Sequence, residues 1–254
     1  ENESFSVRQL DYRTDGIISV GQLKQWGGVR SGDNLLKLDL LRIKRDIELA
    51  PRVKAASVER FLPDTLQVRV AERVPMAQVW AWQRDGAGVT DYDCVRLQLD
   101  EIGHVMSPID GRSVVAPEKQ AEWSLPVVSG IELKKLKSLA PGRPAGLPKL
   151  RAALGLIGEF RRSPLAGVVD LRVIDLSQPR ILRVTTGDGG QVDLSTGRLG
   201  RQLNRWARIW AHGQKFGLAI ETVDLSVTNN VPVRWMLSPT IAKGIKSGRN
   251  LAGK

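Results

Sequence analysis

Residues 51–79, PRVKAASVERFLPDTLQVRVAERVPMAQV, hold two strands, a tight turn and an exit into a different kind of chain. Just upstream, Asp33-Asn34-Leu35-Leu36 and Asp39 open a helical pattern with Leu40, Ile43 and Ile47 on one face. Pro51 stops that pattern because proline has no backbone donor. Beyond it the apolar period drops from about 3.6 residues to about 2. Ala56, Val58, Arg60 and Leu62 share one parity, and Leu66, Val68 and Val70 repeat it on the way back. Between them Pro63-Asp64 supplies a preset φ and an Asx-type turn. The stretch predicts a β-hairpin packed beneath helices.

With the residues before it, the order is strand (Phe5 to Tyr12), helix (Ser19 to Trp26), helix (Leu38 to Ala50), strand and strand. This βααββ order carries Pro51, Val53, Ala56, Val58, Arg60, Pro63, Thr65, Leu66, Val68, Val70, Glu72, Arg73, Pro75 and Ala77 at fixed spacing. The pattern resembles the POTRA domain of the FtsQ/DivIB family of bacterial division proteins, and the Glu72-Arg73-x-Pro75-x-Ala77 exit is the part most particular to that group. POTRA domains also occur in polypeptide-transport and outer-membrane assembly modules. Tandem POTRA repeats or a β-barrel would mark that alternative, and the sequence displays neither.

Composition sets bounds on both readings. A chain of 254 residues, 42% hydrophobic, can build one large core or two modest ones. The formal charge of +11 would suit nucleic acid or an anionic membrane surface, but the basic residues are spread along the chain instead of gathered in blocks. We therefore expect no nucleic-acid partner. A single cysteine, Cys94, excludes an intrachain disulfide and a cysteine-rich metal site. It reads as a bystander in a polar loop. There is no apolar run of transmembrane length, and the chain opens on Glu1-Asn2-Glu3 without methionine or a visible signal, which suggests a fragment or processed form.

After Pro75 the signals are mainly β. Met76 to Trp82 predicts a strand, Arg84 to Gly88 a turn, and Val95, Leu97 and Leu99 alternate with Arg96, Gln98 and Asp100. Asp100, Gly103 and Val105 match a D-x-x-G-x-V hairpin of the family, and Leu125-Pro126-x-Val128-x-Gly130 matches its L-P-x-V-x-G element. Arg84 to Asp93 and Pro108 to Glu122 resemble insertions. Ala140 to Gly146 is a breaker-rich loop, after which Leu147, Leu150, Leu154, Ile157 and Phe160 form an apolar helical stripe. Val169 to Leu176 and Ile181 to Thr186 predict strands, and Gly187-Asp188-Gly189-Gly190 turns into Val192 to Leu194. A helix over Leu199 to Ala211 would bury Leu199, Leu203, Trp206 and Trp210, with Arg201, Arg205 and Arg208 outward. Ile220 to Val227 and Val231 to Leu237 predict a closing hairpin around Thr228-Asn229-Asn230. The expected fold class is α+β: a POTRA domain over 1–75, a larger mixed β-sheet domain with two or more helices on one side over 76–237, and a flexible basic tail over 238–254.

Catalytic constellations are hard to find. His104 and His212 lack metal-ligand spacing, Ser129-Gly130 lacks the glycine of a nucleophile elbow, and Gly187 to Gly190 lacks the lysine of a phosphate loop. Asp85, Asp91 and Asp93 have no glutamate to complete a calcium loop. No cofactor, no metal and no enzymatic activity are expected. Trp80 and Trp82 on one strand face, and Trp235 in the last strand, are candidates for a docking surface.

The last strand admits two readings. Pro232 and Arg234 could block pairing at a sheet edge, or the edge could accept a partner strand by β-augmentation. Resemblance to the family implies the second, with an FtsB-like protein, itself paired with an FtsL-like protein, as partner. Carried onto this chain, the docking residues are Thr228, Asn229, Asn230, Val231, Val233, Arg234 and Trp235, with Arg201, Arg205 and Arg208 as a basic flank. The resemblance further implies POTRA contacts to other divisome proteins, for which Val53 to Arg60 is the expected surface. It also implies a single transmembrane helix upstream of Glu1, with this part in the periplasm or extracytoplasmic space at the septum.

Overall fold

A computed structural model describes residues 5–84, 92–107, 125–136 and 139–237. The chain divides into two compact units: Glu1–Val74 with Val105–Ser107 and Ala140–Arg143, and Pro75–His104 with Pro108–Leu139 and Pro144–Lys254.

In the first unit the order is β1 (Gln9–Thr14), α1 (Val20–Gly27), α2 (Leu40–Glu48), β2 (Val53–Phe61) and β3 (Thr65–Glu72). Each helix starts where the sequence offers a cap. Ser19 and Gln22 form a reciprocal capping box, and Asp39 accepts from Arg42 N at 3.0 Å. β2 and β3 pair antiparallel from Val53↔Glu72 to Phe61↔Thr65, while β1 runs parallel to β3, giving the order β1-β3-β2. Leu23, Leu35, Ile43, Ile47, Leu66 and Val68 close the core between helices and sheet. The first strand begins later than its apolar pattern predicts. Val7 N bonds to Asp33 O and Leu35 N to Phe5 O, both at 2.8 Å, so residues 5–7 are held by a loop before the sheet begins. Leu62, expected on the buried parity, sits in the hairpin turn and is 63% exposed.

The Glu72 of the exit motif is a structural lock. Its carboxylate accepts from Ile17 N at 3.0 Å, Ile18 N at 2.8 Å and the Thr14 hydroxyl, while its own N–H donates to Asp15 at 2.8 Å. A Cβ on Gly16 would lie 2.3 Å from that carboxylate, so a larger residue there would push it off these donors. One side chain at the end of β3 thus ties down the whole β1–α1 loop.

In the second unit β4 (Ala77–Arg84) pairs antiparallel with β5 (Tyr92–Leu99). After the two-residue β6 (Val105–Met106), which groups with the first unit, the second unit continues with β7 (Val127–Ser129) and the short α3 (Leu133–Leu136). Next come α4 (Pro148–Arg161), β8 (Leu171–Asp175), β9 (Ile181–Thr186), β10 (Gln191–Ser195), α5 (Leu199–Lys215), β11 (Leu218–Asp224) and β12 (Val233–Leu237). The strands of this unit lie in the order β12-β11-β10-β9-β8-β7-β4-β5. The pairing is mixed: β10 is parallel to β11, β7 to β8 and β4 to β7, and the others are antiparallel. Leu182, Val184, Val192, Leu194 and Ile174 form the buried side of the sheet, and α4 and α5 meet through Phe160 and Trp206, whose rings are 5.8 Å apart.

The D-x-x-G-x-V and L-P-x-V-x-G elements have local explanations. Asp100 Oδ1 accepts from Ile102 N at 3.1 Å and His104 N at 2.8 Å, and Gly103 takes φ 83° in the same turn. A Cβ on Gly130 would stand 2.0 Å from Asp175 and 2.4 Å from Ser177 N, so the chain leaving β7 must carry glycine to pass beside β8. Other expectations need correcting. Arg84 pairs with Tyr92, so strand reaches into the stretch read as an insertion, and Cys94 belongs to β5 instead of a polar loop. The remainder of that turn, residues 85–91, and the whole of the second insertion, Pro108 to Glu122, lie outside the described residues, as does the tail from 238. Gln98 and Asp100, which alternate with Leu97 and Leu99, are buried as well, as is Gln78, which pairs with Gln98. The short α3 was not foreseen, and it lies against β4.

Among the described residues no helix is long and apolar enough to cross a membrane. No group of three or more His, Cys, Asp or Glu side chains among them could hold a metal ion.

Candidate strand-docking edge

β12 ends the sheet of the second unit and has β11 as its one strand neighbour among the described residues. The register runs Leu218↔Leu237, Ala219↔Met236, Ile220↔Trp235, Thr222↔Arg234 and Val223↔Val233, with Glu221 as an extra residue on β11. Because the bulge lies on β11, the alternation along β12 stays regular.

The position of Pro232 decides which backbone groups are free. Asp224 N donates to Pro232 O at 3.2 Å, so the backbone of Pro232 faces β11. Antiparallel pairing alternates residue by residue, which aims Arg234 and Met236 inward and the N–H and C=O groups of Val233, Trp235 and Leu237 outward. The donor that proline lacks is therefore missing on the paired side. Pro232 does not blunt the open edge.

The connection leading to β12 differs from the expected tight turn. It spans Leu225 to Pro232, so Val231 precedes the strand, and Thr228, Asn229 and Asn230 form the exposed part of a longer loop. Three anchors hold that loop. Leu225 is buried with its N–H on Asp193 O at 2.8 Å, the Asp224 carboxylate takes Ser226 N at 2.9 Å and its hydroxyl at 2.6 Å, and Arg205 Nη1 donates to Val227 O at 2.8 Å. Arg205 is thus half-buried and committed to the loop, a correction to its expected place on an outward basic flank. Arg201 and Arg208 are exposed as expected.

The start of α5 creates the basic corner beside this loop. Gln202, buried, accepts from Ser195 N at 2.8 Å and donates to Gly197 O at 2.6 Å, pinning the turn from β10 into the helix. Arg198 occupies the left-handed cap position at φ 54°, and no acidic side chain stands in the first turn. Arg198, Arg201 and Arg205 line a cavity of about 190 Å³ together with Val227 and Thr228. Helix dipole and guanidinium charges there have the same sign, so the cavity favours a carboxylate. Arg198 was not singled out from the sequence. Its position one residue before a helix that lacks an acidic first turn was the available signal.

The other end of α5 meets the edge differently. A Cβ on Gly213 would lie 2.4 Å from the Trp235 ring, so the indole lies flush against the helix, with the His212 ring 6.3 Å away. Trp235 is thus a packing residue of β12 in addition to lying on its edge. Phe216 at 66% and Leu237 at 62% exposure leave an apolar corner beside it, which the sequence reading did not pick out. Within α5, Leu203 and Trp206 are buried as expected, but Leu199 and Trp210 are half-buried, and Gln202 and Gly213 take the remaining interior positions.

On the sheet face opposite the helices, Arg183 forms two bonds of 2.8 Å to Asp193. The Asp193 hydrogen bond, then its charge and those of Asp175 and Asp224, push the guanidinium further toward its charged form. Alternation places Arg234 on this face.

Comparison with known proteins points one way. A family model described as the FtsQ-type POTRA domain matches residues 6–73, and one described as the C-terminal part of cell division protein FtsQ/DivIB matches residues 94–226. The protein named cell division protein FtsQ from Syntrophotalea carbinolica is 26% identical over 239 residues, covering 92% of this chain and 75% of that relative. The protein of the same name from a Geobacter species is 27% identical over 209 residues (82% and 68% covered), and that from Geotalea daltonii 26% over 236 residues (91% and 76%).

Proposed function

The chain belongs to the FtsQ/DivIB family of cell-division proteins, and on that premise we propose that it is a non-catalytic divisome scaffold that captures an extended segment of an FtsB-like protein along β12. An FtsL-like protein accompanies that partner, and the FtsQ-type POTRA part, residues 1–75, engages other division proteins while residues 76–237 hold the docking edge. The protein works on the extracytoplasmic side of the bacterial cell membrane at the septum, anchored by a single upstream transmembrane helix.

The observation that carries this reading is the outward backbone of Val233, Trp235 and Leu237, left open because the proline of the segment faces β11. Strand addition draws affinity from such main-chain groups and selectivity from the side chains beside them. Beside the first end of the edge, the Arg198–Arg201 corner suits an acidic side chain of the incoming segment. At the other end Phe216 and Leu237 suit an apolar one.

The test is calorimetric titration of the full chain with a synthetic segment of the FtsB-like protein from the same organism. Val233→Pro removes an outward donor without breaking a bond to β11, so capture should fall at least about tenfold, roughly 1.4 kcal/mol, with the unfolding temperature held. Val233→Ala should bind almost as the native chain does, because the backbone makes the pairing. Undiminished capture by Val233→Pro would overturn the assignment of β12.

A further inference from the structure

The first unit has an edge strand as well, and one of its outward donors is already occupied. β2 ends the order β1-β3-β2, and its pairs with β3 close at Phe61↔Thr65. Ala56 N does not point to β3. It donates to Glu48 Oε1, in the last turn of α2, at 3.0 Å. By alternation Val58 and Arg60 turn their backbone groups to the same open side. Glu48 stands at a helix C-terminus, where the dipole disfavours a carboxylate, and the one cation near it is Lys44 at 3.9 Å among the described pairs. Its placement is explained by the strand edge better than by the helix.

The sequence of β2 shows what an open edge there would accept. In an antiparallel pairing of two copies about Val58, Ala56 faces Arg60, Ser57 faces Glu59, Ala55 faces Phe61 and Lys54 faces Leu62. No two like charges meet. The exposed Phe61 (48%) and Leu62 (63%) would gain apolar cover in that arrangement. Its central bonds would join Val58 to Val58, and Ala56 N–H to Arg60 C=O in both directions. Glu48 occupies the very donor this pairing needs.

We propose that Glu48 is a latch that holds the β2 edge closed against a second copy of this chain. The side chain reaches over the edge from α2 and takes the Ala56 donor. A second β2 strand can add only after the carboxylate has been displaced. Covering an edge from a neighbouring helix is one way in which edge strands avoid pairing with one another. It holds whether or not a division partner ever uses the same edge.

Sedimentation of the full chain over a concentration series tests this, together with exchange of the Ala56 amide hydrogen. The native chain and Glu48→Gln, whose amide oxygen still accepts, are expected to stay monomeric with Ala56 protected. Glu48→Ala is expected to form a concentration-dependent dimer and, when dilute, to exchange Ala56 on the order of tenfold faster. Adding Val58→Pro to Glu48→Ala removes an outward donor and should restore the monomer. A Glu48→Ala chain that stays monomeric and keeps native Ala56 exchange overturns the latch. So does a dimer that Val58→Pro leaves intact, since its contact would then lie elsewhere.

Discussion

β2 and β12 are edge strands of similar chemistry and opposite availability. β2 turns Ala56, Val58 and Arg60 outward but has a glutamate across its first donor, whereas β12 turns Val233, Trp235 and Leu237 outward with no side chain upon them among the described residues. Proline deepens the contrast. In β12 the residue that would ordinarily mark a blocked edge faces the paired side, as the Asp224 N to Pro232 O bond shows. An edge is open or closed according to where its donors point, and residue type alone does not tell.

The largest way to break this comparison is Gly213→Ala. The new methyl would sit 2.4 Å from the Trp235 ring and 2.9 Å from Leu218 O, forcing β12 away from α5. Overpacking of this kind typically costs about 1–3 kcal/mol, so thermal unfolding should shift down and strand capture should fail with it. Trp235→Glu should behave in the same way, losing stability as well as capture, because the indole is half of that contact. A Gly213→Ala chain with native unfolding temperature would show that the helix does not support the edge.

Arg205 and Arg201 sharpen the comparison along one helix. Arg205→Ala leaves Val227 O without its donor at the start of the docking loop, so about 1 kcal/mol of stability should go, measured by denaturant unfolding. Arg201→Ala should leave unfolding within about 0.5 kcal/mol of native. It should weaken capture of an acidic segment, and that deficit should shrink as salt rises. Equal loss of stability in the two variants would remove the distinction between a strap and a docking cation.

The smallest effect belongs to the closed-edge unit. Bonds from Arg13 and Gln67 hold the Asp11 carboxyl below the ordinary carboxylate range. Since its folded value is depressed, its contribution is present above the unfolded value and is lost as pH falls through the folded one. Asp11 is half-buried but its partner Arg13 is exposed, so solvent screens the pair and Asp11→Asn should leave the acid side of the stability profile nearly native. A large acid-side shift on thermal scans would assign the pair more than screening by solvent allows.

The POTRA pattern could be read from residues 51–79 because hairpin period, turn and helix caps are local signals. Glu72 illustrates the limit. Its place in the exit motif was visible, but its partners Thr14, Asp15, Ile17 and Ile18 lie more than fifty residues earlier, and no spacing rule joins them. The docking segment was legible as a strand at the chain's end. Its loop was misread because Thr228-Asn229-Asn230 looks like a two-strand turn, while the anchors that lengthen it, Leu225 on Asp193 and Arg205 on Val227, come from other elements. Arg205 was assigned outward from helical periodicity, which ranks faces by residue type and has no means of seeing a carbonyl that a distant loop brings near.

By itself the sequence determined the α+β class, the βααββ order, most strand and helix centres, and the family, since these rest on local period, capping residues and motif spacing. Tertiary structure alone decided which donors of β12 stay open, that Glu48 covers β2, and that Trp235 lies under Gly213. Those facts depend on the direction in which a backbone group or side chain is turned once its neighbours are in place. Direction is set by pairing register and by contacts between residues remote in the chain, and one-dimensional spacing carries neither.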